Sequence, residues 1–224
     1  MLLTGTSNSD SDIKIVIGTA EDACQDVLDV MAFRKRILVD SLGWDLTVTQ
    51  GLERDEFDRA DTVHCAVRHK DILVGSFRAI RADRTYLAAE KFRHLATLKS
   101  YPEDESSWEI SRFVVAMGER RFSYALTTYA SMFRFAFAVN ADRLVAFSDL
   151  SHERLLSRIG IVTERYGPPF QIGIDAAGRP VKVVSGEIPM AAQIGSRFLQ
   201  LLSHANPLEE SDVYSLPRRR SISA

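Results

Sequence analysis

The chain is poor in the features that mark secreted and membrane proteins. Among its 224 residues there are only two cysteines, Cys24 and Cys65, which lie far apart and outside any CxxC spacing. This usage predicts two small buried side chains in a reducing compartment. No segment approaches the roughly 18 consecutive apolar residues of a membrane helix, and no basic stretch precedes an apolar run at the N-terminus. We therefore expect a cytoplasmic protein with no signal peptide and no membrane partner.

An excess of charge of one sign is also lacking. The formal net charge is −2, which gives no overall attraction to nucleic acid or to an anionic membrane, so any electrostatic function must be local. Hydrophobic residues make up 46% of the chain and charged residues 26%, which suffices for a core that needs neither disulfides nor a metal. The sequence thus predicts no bound metal, no cofactor and no nucleic-acid partner.

The order of apolar segments indicates the fold class. Neither an internal repeat nor a low-complexity linker divides the chain, so we predict a single domain over residues 1–224, with flexible ends at 1–12 and 217–224. The apolar spacing predicts strands at 14–18, 63–67, 72–80, 108–115, 143–147, 170–174 and 181–184, and helices between Thr19 and Gly43 and at 123–140, 151–159 and 190–205. This order predicts an α/β (α+β) fold in which helices cover both faces of a mixed sheet.

Charged side chains occur at positions where a core would be apolar. Arg34 lies three residues after Met31 and four before Leu38, on the apolar stripe of the first helix. Arg78 shares the phase of Ile80 on an alternating strand. Because a buried unpaired charge is costly, these groups must have partners or line a wet pocket.

Two more charges interrupt the apolar strand Trp108–Val115. They are Glu109 and Arg112, and the acidic loop Glu53–Asp58 supplies opposite charges. Each feature alone has an ordinary explanation, such as an arginine that extends to water, an ion pair between strands or a solvated loop. Trp44 alone, after a helix-ending glycine, would be explained as a core plug. The sum exceeds what one structural ion pair requires and indicates a functional site.

Glu109 and Arg112 have a phase conflict. Strict alternation places residues three apart on opposite faces of a strand. Both side chains can reach one cleft only if the strand bulges or the sheet opens beside it. The sequence therefore predicts an irregular strand at this point.

Four motifs together resemble those of a known enzyme family. They are RKRILVDSLGW from Arg34 to Trp44, GLERDEFD from Gly51 to Asp58, GSFR from Gly75 to Arg78, and WEISRF from Trp108 to Phe113. In this order they resemble the acyl-homoserine-lactone synthases, the LuxI-type autoinducer synthases of bacterial quorum sensing. The resemblance implies an N-acetyltransferase-like mixed sheet that is flanked by helices and split near the active site. It also implies that an acyl carrier protein or acyl-CoA thioester acylates S-adenosylmethionine, which then closes to an N-acyl-homoserine lactone and releases methylthioadenosine.

The resemblance directs attention to particular residues. Those expected to bind S-adenosylmethionine are Arg34, Leu38, Trp44, Asp55, Asp58, Arg112 and Phe113, and those expected along the acyl chain are Ser111, Met132, Ala146 and Phe147. Glu109 is the candidate general base, with Arg78 orienting it and holding it ionised. Leu38 stands where the family usually has phenylalanine, so an aromatic face is lost there. Ala146 stands where relatives that take 3-oxo-acyl chains have threonine, which favours an unsubstituted acyl chain.

Two other functions stay open on the sequence alone. An N-acetyltransferase acting on another amine would cradle coenzyme A with a turn of the type R-x-x-G-x-G/A, whereas residues 115–122 contain the single glycine Gly118. A non-enzymatic module for an adenosyl ligand would explain Trp44 and the acidic loop, but not Glu109 beside Arg78. Release of methylthioadenosine distinguishes the three functions. Acyl length, the choice between carrier protein and coenzyme A, and the oligomeric state are not predicted.

Overall fold

A computed structural model describes residues 12–174 and 178–208. The strands are β1 Ile13–Gly18, β2 Val48–Thr49, β3 Leu52–Glu53, β4 Val63–His69, β5 Ile72–Arg81, β6 Ser107–Val115, β7 Arg143–Asp149, β8 Glu164–Arg165, β9 Phe170–Ile174 and β10 Pro180–Pro189. The helices are α1 Cys24–Arg34, α2 Leu87–Lys91, α3 Arg121–Ala138, α4 Leu150–Arg158 and α5 Ser196–Leu202. The ends predicted to be flexible lie outside the described residues, apart from residue 12, and the single domain stays a prediction.

Eight of the strands form one mixed sheet. Its order is β1-β4-β5-β6-β7-β10-β8, and β9 also pairs with β10. Neighbours are antiparallel except for β6 and β7, which are parallel. The hairpin from β4 to β5 turns at Lys70 and Asp71, whose φ values are 50° and 62°. Two consecutive left-handed residues suit the twist of a tight hairpin.

Helices cover both faces of this sheet, as predicted. On one face α3, α4 and α5 enclose the main core, which includes Phe77, Trp108, Phe133, Leu144 and Phe198. On the other face α1 packs through Val30 and Phe33 on Ala66, Leu73 and Val114. Beside it a third cluster near α2 contains Phe57, Ile80, Tyr86 and Val145. We refer to these as the α3 face and the α1 face.

The sheet splits between its two parallel strands. β6 and β7 pair only from Ser107 opposite Arg143 to Ile110 opposite Ala146. Beyond that point β6 continues against β5 and β7 continues against β10. The predicted opening of the sheet is therefore present, and it lies next to Glu109.

A bulge in β6 resolves the phase conflict. Ser76 of β5 faces Val114 and Arg78 faces Ser111, so a single residue of β5 opposes both Arg112 and Phe113. Arg112 has φ 52°, in the left-handed region that non-glycine residues rarely adopt. An extra residue re-aims the side chains around it, and the predicted irregular strand is confirmed.

The first helix differs from its prediction at both ends. α1 begins at Cys24, and the Thr19 hydroxyl donates to Asp22 (2.9 Å) instead of capping the helix. Beyond α1 the chain continues as a π-helical segment, Lys35–Ser41, before Gly43 turns it at φ 70°. The prediction that both cysteines are buried was wrong for Cys24, which is exposed.

Short elements account for the other differences. The predicted helix at 190–205 is divided into a 3₁₀ turn, Met190–Ala192, and α5, because Gly195 adopts an extended conformation between them. α2 has only five residues, too few to show helical periodicity. Within residues 12–174 and 178–208 no helix combines the length and the apolar character needed to cross a bilayer.

Candidate active site

The acidic loop Glu53–Asp58 is held in shape by its own backbone. Asp58 N donates to Asp55 O (3.1 Å), Asp55 N donates to Asp58 Oδ2 (3.0 Å), and Phe57 N donates to Asp55 Oδ1 (2.9 Å). Phe57 is buried in the same cluster as Ile80. One apolar side chain therefore anchors the loop to the sheet, while its carboxylates meet the arginines around it.

Arg34, at the end of α1, is fully buried against this loop. Its Nη1 and Nη2 each donate to one oxygen of Asp58 at 2.8 Å, and its Nε donates to Glu53. Two-pronged contacts of this kind fix both distance and orientation. Burial disfavours both charges, but the contacts outweigh it: Asp58 and Glu53 raise the pKa of Arg34, and Arg34 lowers the pKa of Asp58.

Arg78 reaches the same loop from β5. Its Nη1 donates to Asp55 Oδ1 at 2.5 Å and lies 3.2 Å from Asp58 Oδ1, and its Nε donates to the hydroxyl of Ser111 at 3.0 Å. Its Nη2 is buried without a hydrogen-bond partner among the described residues. Arg78 is therefore held on one side and has an unsatisfied nitrogen on the other.

Arg112 joins the network because of the bulge. Its Nε donates to Glu53 Oε1 (3.0 Å) and its Nη2 to Asp55 Oδ2 (2.7 Å). Glu53 thus bridges Arg34 and Arg112, and Asp55 bridges Arg78 and Arg112. We call this set of three arginines and three carboxylates the charged network.

His64 is buried beside the charged network, opposite Arg78 in the sheet register. Its Nε2 lies 3.7 Å from Asp58 Oδ1, which is too far for a hydrogen bond. Burial and the charge of Arg34 lower the pKa of His64 to about 3, so the ring is neutral at neutral pH. In the described part of the chain, no cluster of three or more His, Cys, Asp or Glu side chains is arranged to hold a metal ion.

Glu109 lies on β6 and bonds to the start of a helix. Its side chain accepts from Ala88 N at 2.7 Å and from Leu87 N at 3.1 Å, and the residue is 2% exposed. These are the first two amides of α2, which have no partner within the helix. Burial raises the pKa of Glu109, and the bond from Ala88 and the charge of Arg78 offset this rise only in part.

The structure corrects the expected pairing of Arg78 with Glu109. Arg78 donates to Ser111 and Asp55, whereas the amides of α2 orient Glu109. Arg78 acts on Glu109 through its charge, and the net pKa of Glu109 is raised rather than held low. Glu109 is therefore oriented by backbone amides and not by an ion pair with Arg78.

Trp44 and Leu38 differ sharply in exposure. Trp44 is 52% exposed, which argues against a core plug and leaves the indole face open to a ligand. Leu38 is 3% exposed within the cluster that includes Val30 and Val114, so it supports the site from the core and does not form an open wall. The π-helical segment contacts β3 and β6, which brings the loop with Trp44 to the side of the sheet that carries the charges.

The expected acyl-chain residues do not form one lining. Ser111 lies beside the charged network, because its hydroxyl accepts a hydrogen bond from Arg78. Phe147 stacks on Phe92, with ring centroids 4.4 Å apart. Ala146, the preceding residue on β7, is half-buried and points to the opposite, α3 face. Met132 is 2% exposed within the main core.

Phe113 also lies away from the charged network. Its ring stacks on Tyr129 of α3 at 4.4 Å and meets the ring of His152 of α4 at 6.1 Å. The bulge explains this placement because it directs Arg112 to the α1 face and Phe113 to the α3 face. Phe113 therefore lies on the opposite face of the sheet from the charged network.

Three residues that lie in the charged network or beside the split were not singled out from the sequence. Glu53 is fully buried and bonds two arginines, and its membership of the acidic loop was the available signal. Tyr129 was hidden by the apolar periodicity of α3. His152 lies three residues after Asp149, the last residue of β7, whose side chain caps α4.

Comparisons with known proteins identify related chains. A family model described as autoinducer synthase matches residues 20–184. An acyl-homoserine-lactone synthase of Ralstonia nicotianae is 35% identical over 159 residues, 66% of this chain and 76% of that protein. A crystal structure of TofI in a ternary complex with an inhibitor and MTA is 27% identical, with a TM-score of 0.69, and the match covers 88% of this chain and 98% of that one.

A likeness of fold alone extends further. The structure of a putative N-acetyltransferase from Lactobacillus plantarum is 13% identical, with a TM-score of 0.53, and the match covers 80% of this chain and 99% of that one. The predicted N-acetyltransferase-like architecture is confirmed.

Proposed function

The chain belongs to the autoinducer synthase family, and from this premise we propose how its site works as an acyl-homoserine-lactone synthase. The enzyme is an acyltransferase that joins an acyl group from a thioester to the amine of S-adenosylmethionine, closes the product to a lactone and releases methylthioadenosine (MTA). One observation carries the assignment of residues. The bulge at Arg112 brings Arg78, Glu109 and Arg112 to one face where β6 and β7 separate.

The charged network binds the amino-acid part of S-adenosylmethionine in this proposal. Arg34 already donates to the loop through each of its three nitrogens, so its role is to hold the loop. The side chains of Arg112 and Asp55 keep 9% and 11% exposure, which suits them to the substrate carboxylate and to its positive groups. Trp44 offers its aromatic face to the sulfonium or the adenine. Asp58 and Leu38 support these groups from behind.

Glu109 acts as the general base, directly or through a water. An α-amino group has a pKa of about 8, so only modest help is needed to make it neutral. Burial raises the pKa of Glu109 and so brings it closer to the pKa of the substrate amine, which favours proton transfer. The amides of α2 keep the carboxylate in place.

The thioester reacts in the split of the sheet. Backbone N–H groups along the parted edges of β6 and β7 stabilise the oxyanion that forms when the amine attacks. The thiol carrier is an acyl carrier protein or coenzyme A, both of which are anionic. Arginines exposed at the start of α3 and on α4 would suit either one, namely Arg120, Arg121, Arg154 and Arg158.

Lactone closure needs geometry more than a further catalytic group. The carboxylate of the acylated substrate attacks its own γ-carbon, and MTA leaves with the bonding electrons. Holding the chain bent brings the reacting atoms together, and this supplies most of the help that an intramolecular step requires. The TofI structure with MTA, from a protein 27% identical to this chain, supports the proposed product.

The substitution Glu109→Gln tests the base. Glutamine keeps the size of the side chain and one acceptor for the amides of α2, but it cannot take up the proton. We expect kcat for MTA release to fall by about 100-fold or more with little change in the KM for S-adenosylmethionine. The matched control is Glu187→Gln on β10, a carboxylate 4% exposed that bonds Lys99 and Tyr166.

Two outcomes would change the proposal. If folded Glu109→Gln turned over as fast as the parent and the control, the base would not be Glu109. If the parent transferred an acyl group to another amine without MTA release, the N-acetyltransferase alternative would replace the synthase. Donors loaded on coenzyme A and on acyl carrier protein, run side by side, identify the carrier.

A further inference from the structure

A tyrosine–histidine pair borders the split on the α3 face. His152 lies in the first turn of α4, directly after β7, where Asp149 caps the helix by accepting from Ser151 N (2.7 Å) and His152 N (2.9 Å). Tyr129 on α3 is 2% exposed, and its hydroxyl lies 2.6 Å from Nε2 of the half-buried His152. The pair thus joins α3 to α4 at the place where β7 leaves β6.

Aromatic rings connect this pair to the other parted strand. Phe113, beyond the bulge in β6, stacks on Tyr129 with an interplanar angle of 24°. Its ring also makes an edge contact with His152, with an interplanar angle of 74°. Ala146 on β7 points to the same face and has no hydroxyl. A group that enters between the parted strands on this side would meet three rings, two of which form the polar pair.

The pair keeps one hydrogen-bond donor for a ligand. Burial lowers the pKa of His152 and raises the pKa of Tyr129, so both rings are neutral near neutral pH. A neutral imidazole has one N–H and a phenol has one O–H, and their mutual bond uses only one of the two. Within the described part of the chain neither side chain has another hydrogen-bond partner. Either tautomer therefore leaves one donor unused.

We propose that the Tyr129–His152 pair recognises an oxygen atom carried by the acyl chain, and that the enzyme prefers oxo- or hydroxy-substituted acyl thioesters to unsubstituted ones of the same length. This inference rests on the proposed function, because it places the thioester in the split. The charged network occupies the α1 face, so the acyl chain extends on the neutral α3 face. A substituent oxygen that accepts from the unused donor forms a hydrogen bond that an unsubstituted chain cannot make.

The pair and Ala146 point to different acyl chains. Ala146 alone favours an unsubstituted chain, since it cannot bond an oxo group. The pair supplies a donor from α3 and α4, on the face of the sheet to which Ala146 points. In this proposal the pair, and not Ala146, sets the preference of the enzyme.

Matched donors test the preference. The donors are octanoyl, 3-oxo-octanoyl, 3-hydroxyoctanoyl and 8-hydroxyoctanoyl groups, each loaded on coenzyme A and on acyl carrier protein. MTA release with saturating S-adenosylmethionine gives kcat/KM for each donor. We expect the parent enzyme to favour at least one oxygenated donor over octanoyl by about fivefold or more, the effect of a single net hydrogen bond.

Aromatic substitutions remove the donors one at a time. Tyr129→Phe and His152→Phe each leave one donor, and the double variant has none but keeps three rings in the cluster. Because each single variant still has one unused donor, each should keep part of the preference, which should disappear in the double variant. A structural bond between helices would not change the ratio between two donors of equal length.

The outcomes separate this inference from the proposed function. A parent enzyme that prefers octanoyl overturns the inference, and so does an unchanged preference in the folded double variant. If the double variant does not fold, Tyr129→Phe combined with His152→Leu, which also has no donor, takes its place, and an unchanged preference there has the same meaning. Absence of MTA release with every donor would remove the proposed function and, with it, this inference.

Discussion

The two faces of the sheet at the split carry opposite kinds of chemistry. On the α1 face three arginines bond three carboxylates, and most of these side chains are buried. Beside the split on the α3 face, the neutral rings of Tyr129 and His152 share one hydrogen bond. The comparison shows how one site can serve a charged substrate and an apolar one. Adjacent residues, Arg112 and Phe113, are sent to different faces by a single bulge.

The two faces also differ in how much stability they lose when one partner of a contact is removed. Removing one partner of a buried ion pair leaves an uncompensated charge, whereas removing one neutral hydrogen bond costs only about 1 kcal/mol. The stability of the α1 face should therefore be sensitive to any single substitution within the charged network, and the α3 face should change its selectivity before its stability.

Arg34→Met is expected to have the largest effect and tests the sensitivity of the α1 face. It leaves Asp58 and Glu53 buried without their main partner, and we expect the free energy of unfolding to fall by about 3–5 kcal/mol. Urea denaturation measures it. The control is Arg68→Met, since Arg68 pairs with Asp26 but keeps 15% side-chain exposure, and its loss should be below about 1 kcal/mol. Equal losses of unfolding free energy in Arg34→Met and Arg68→Met would show that the charged network is no more sensitive than a partly exposed ion pair.

The next largest effect concerns pH and His64. The pKa of His64 is lowered to about 3 in the folded protein, whereas an unfolded histidine titrates near 6.5. Between these values the unfolded state binds the extra proton, so stability falls as the pH falls, by up to about 1.4 kcal/mol per pH unit. His64→Gln should flatten the dependence of the urea midpoint on pH between 6.5 and 4.

The control for this prediction is a histidine outside the charged network. His94→Gln changes an exposed side chain near Phe170, so the slope of its urea midpoint against pH should equal that of the parent. A slope that is the same in His64→Gln and in the parent would mean that the acid sensitivity of the α1 face has another source.

Trp44→Ala should have the smallest effect on the fold and tests which face receives S-adenosylmethionine. Because Trp44 is 52% exposed, we expect stability to change little. The KM for S-adenosylmethionine should rise by about tenfold through loss of a cation–π contact, with Trp44→Phe in between. Leu42→Ala, at a residue 45% exposed, is the matched control. An unchanged KM in Trp44→Ala would place the sulfonium elsewhere.

The irregular strand could be predicted because its cause is local. Alternation and the cost of an unpaired charge were enough to require a bulge or an opening between Glu109 and Arg112. The structure contains both, with Arg112 in a left-handed conformation and β6 parted from β7. The resemblance of the motifs then gave the family, which the comparisons confirmed.

The choice of partners could not be predicted because it depends on contacts distant in sequence. Which carboxylate meets Arg78 is decided by the packing of the loop around Phe57, and the amides that hold Glu109 belong to a helix of five residues. The meeting of Tyr129 and His152 requires two helices to cross at the end of β7. A linear pattern contains no signal for such a contact.

The π-helical segment Lys35–Ser41 has a consequence for the length of the chain in this region. Its wide turns, such as the bond from Leu42 N to Ile37 O, take in one residue more than an α-helical turn. Each residue of an α-helix corresponds to a rotation of about 100°. Deleting one residue here would leave Arg34 in place but would turn Trp44 away from the charged strands. The number of residues between Arg34 and Trp44 therefore sets the direction in which Trp44 points. This number is constrained whatever the identity of the residues between them.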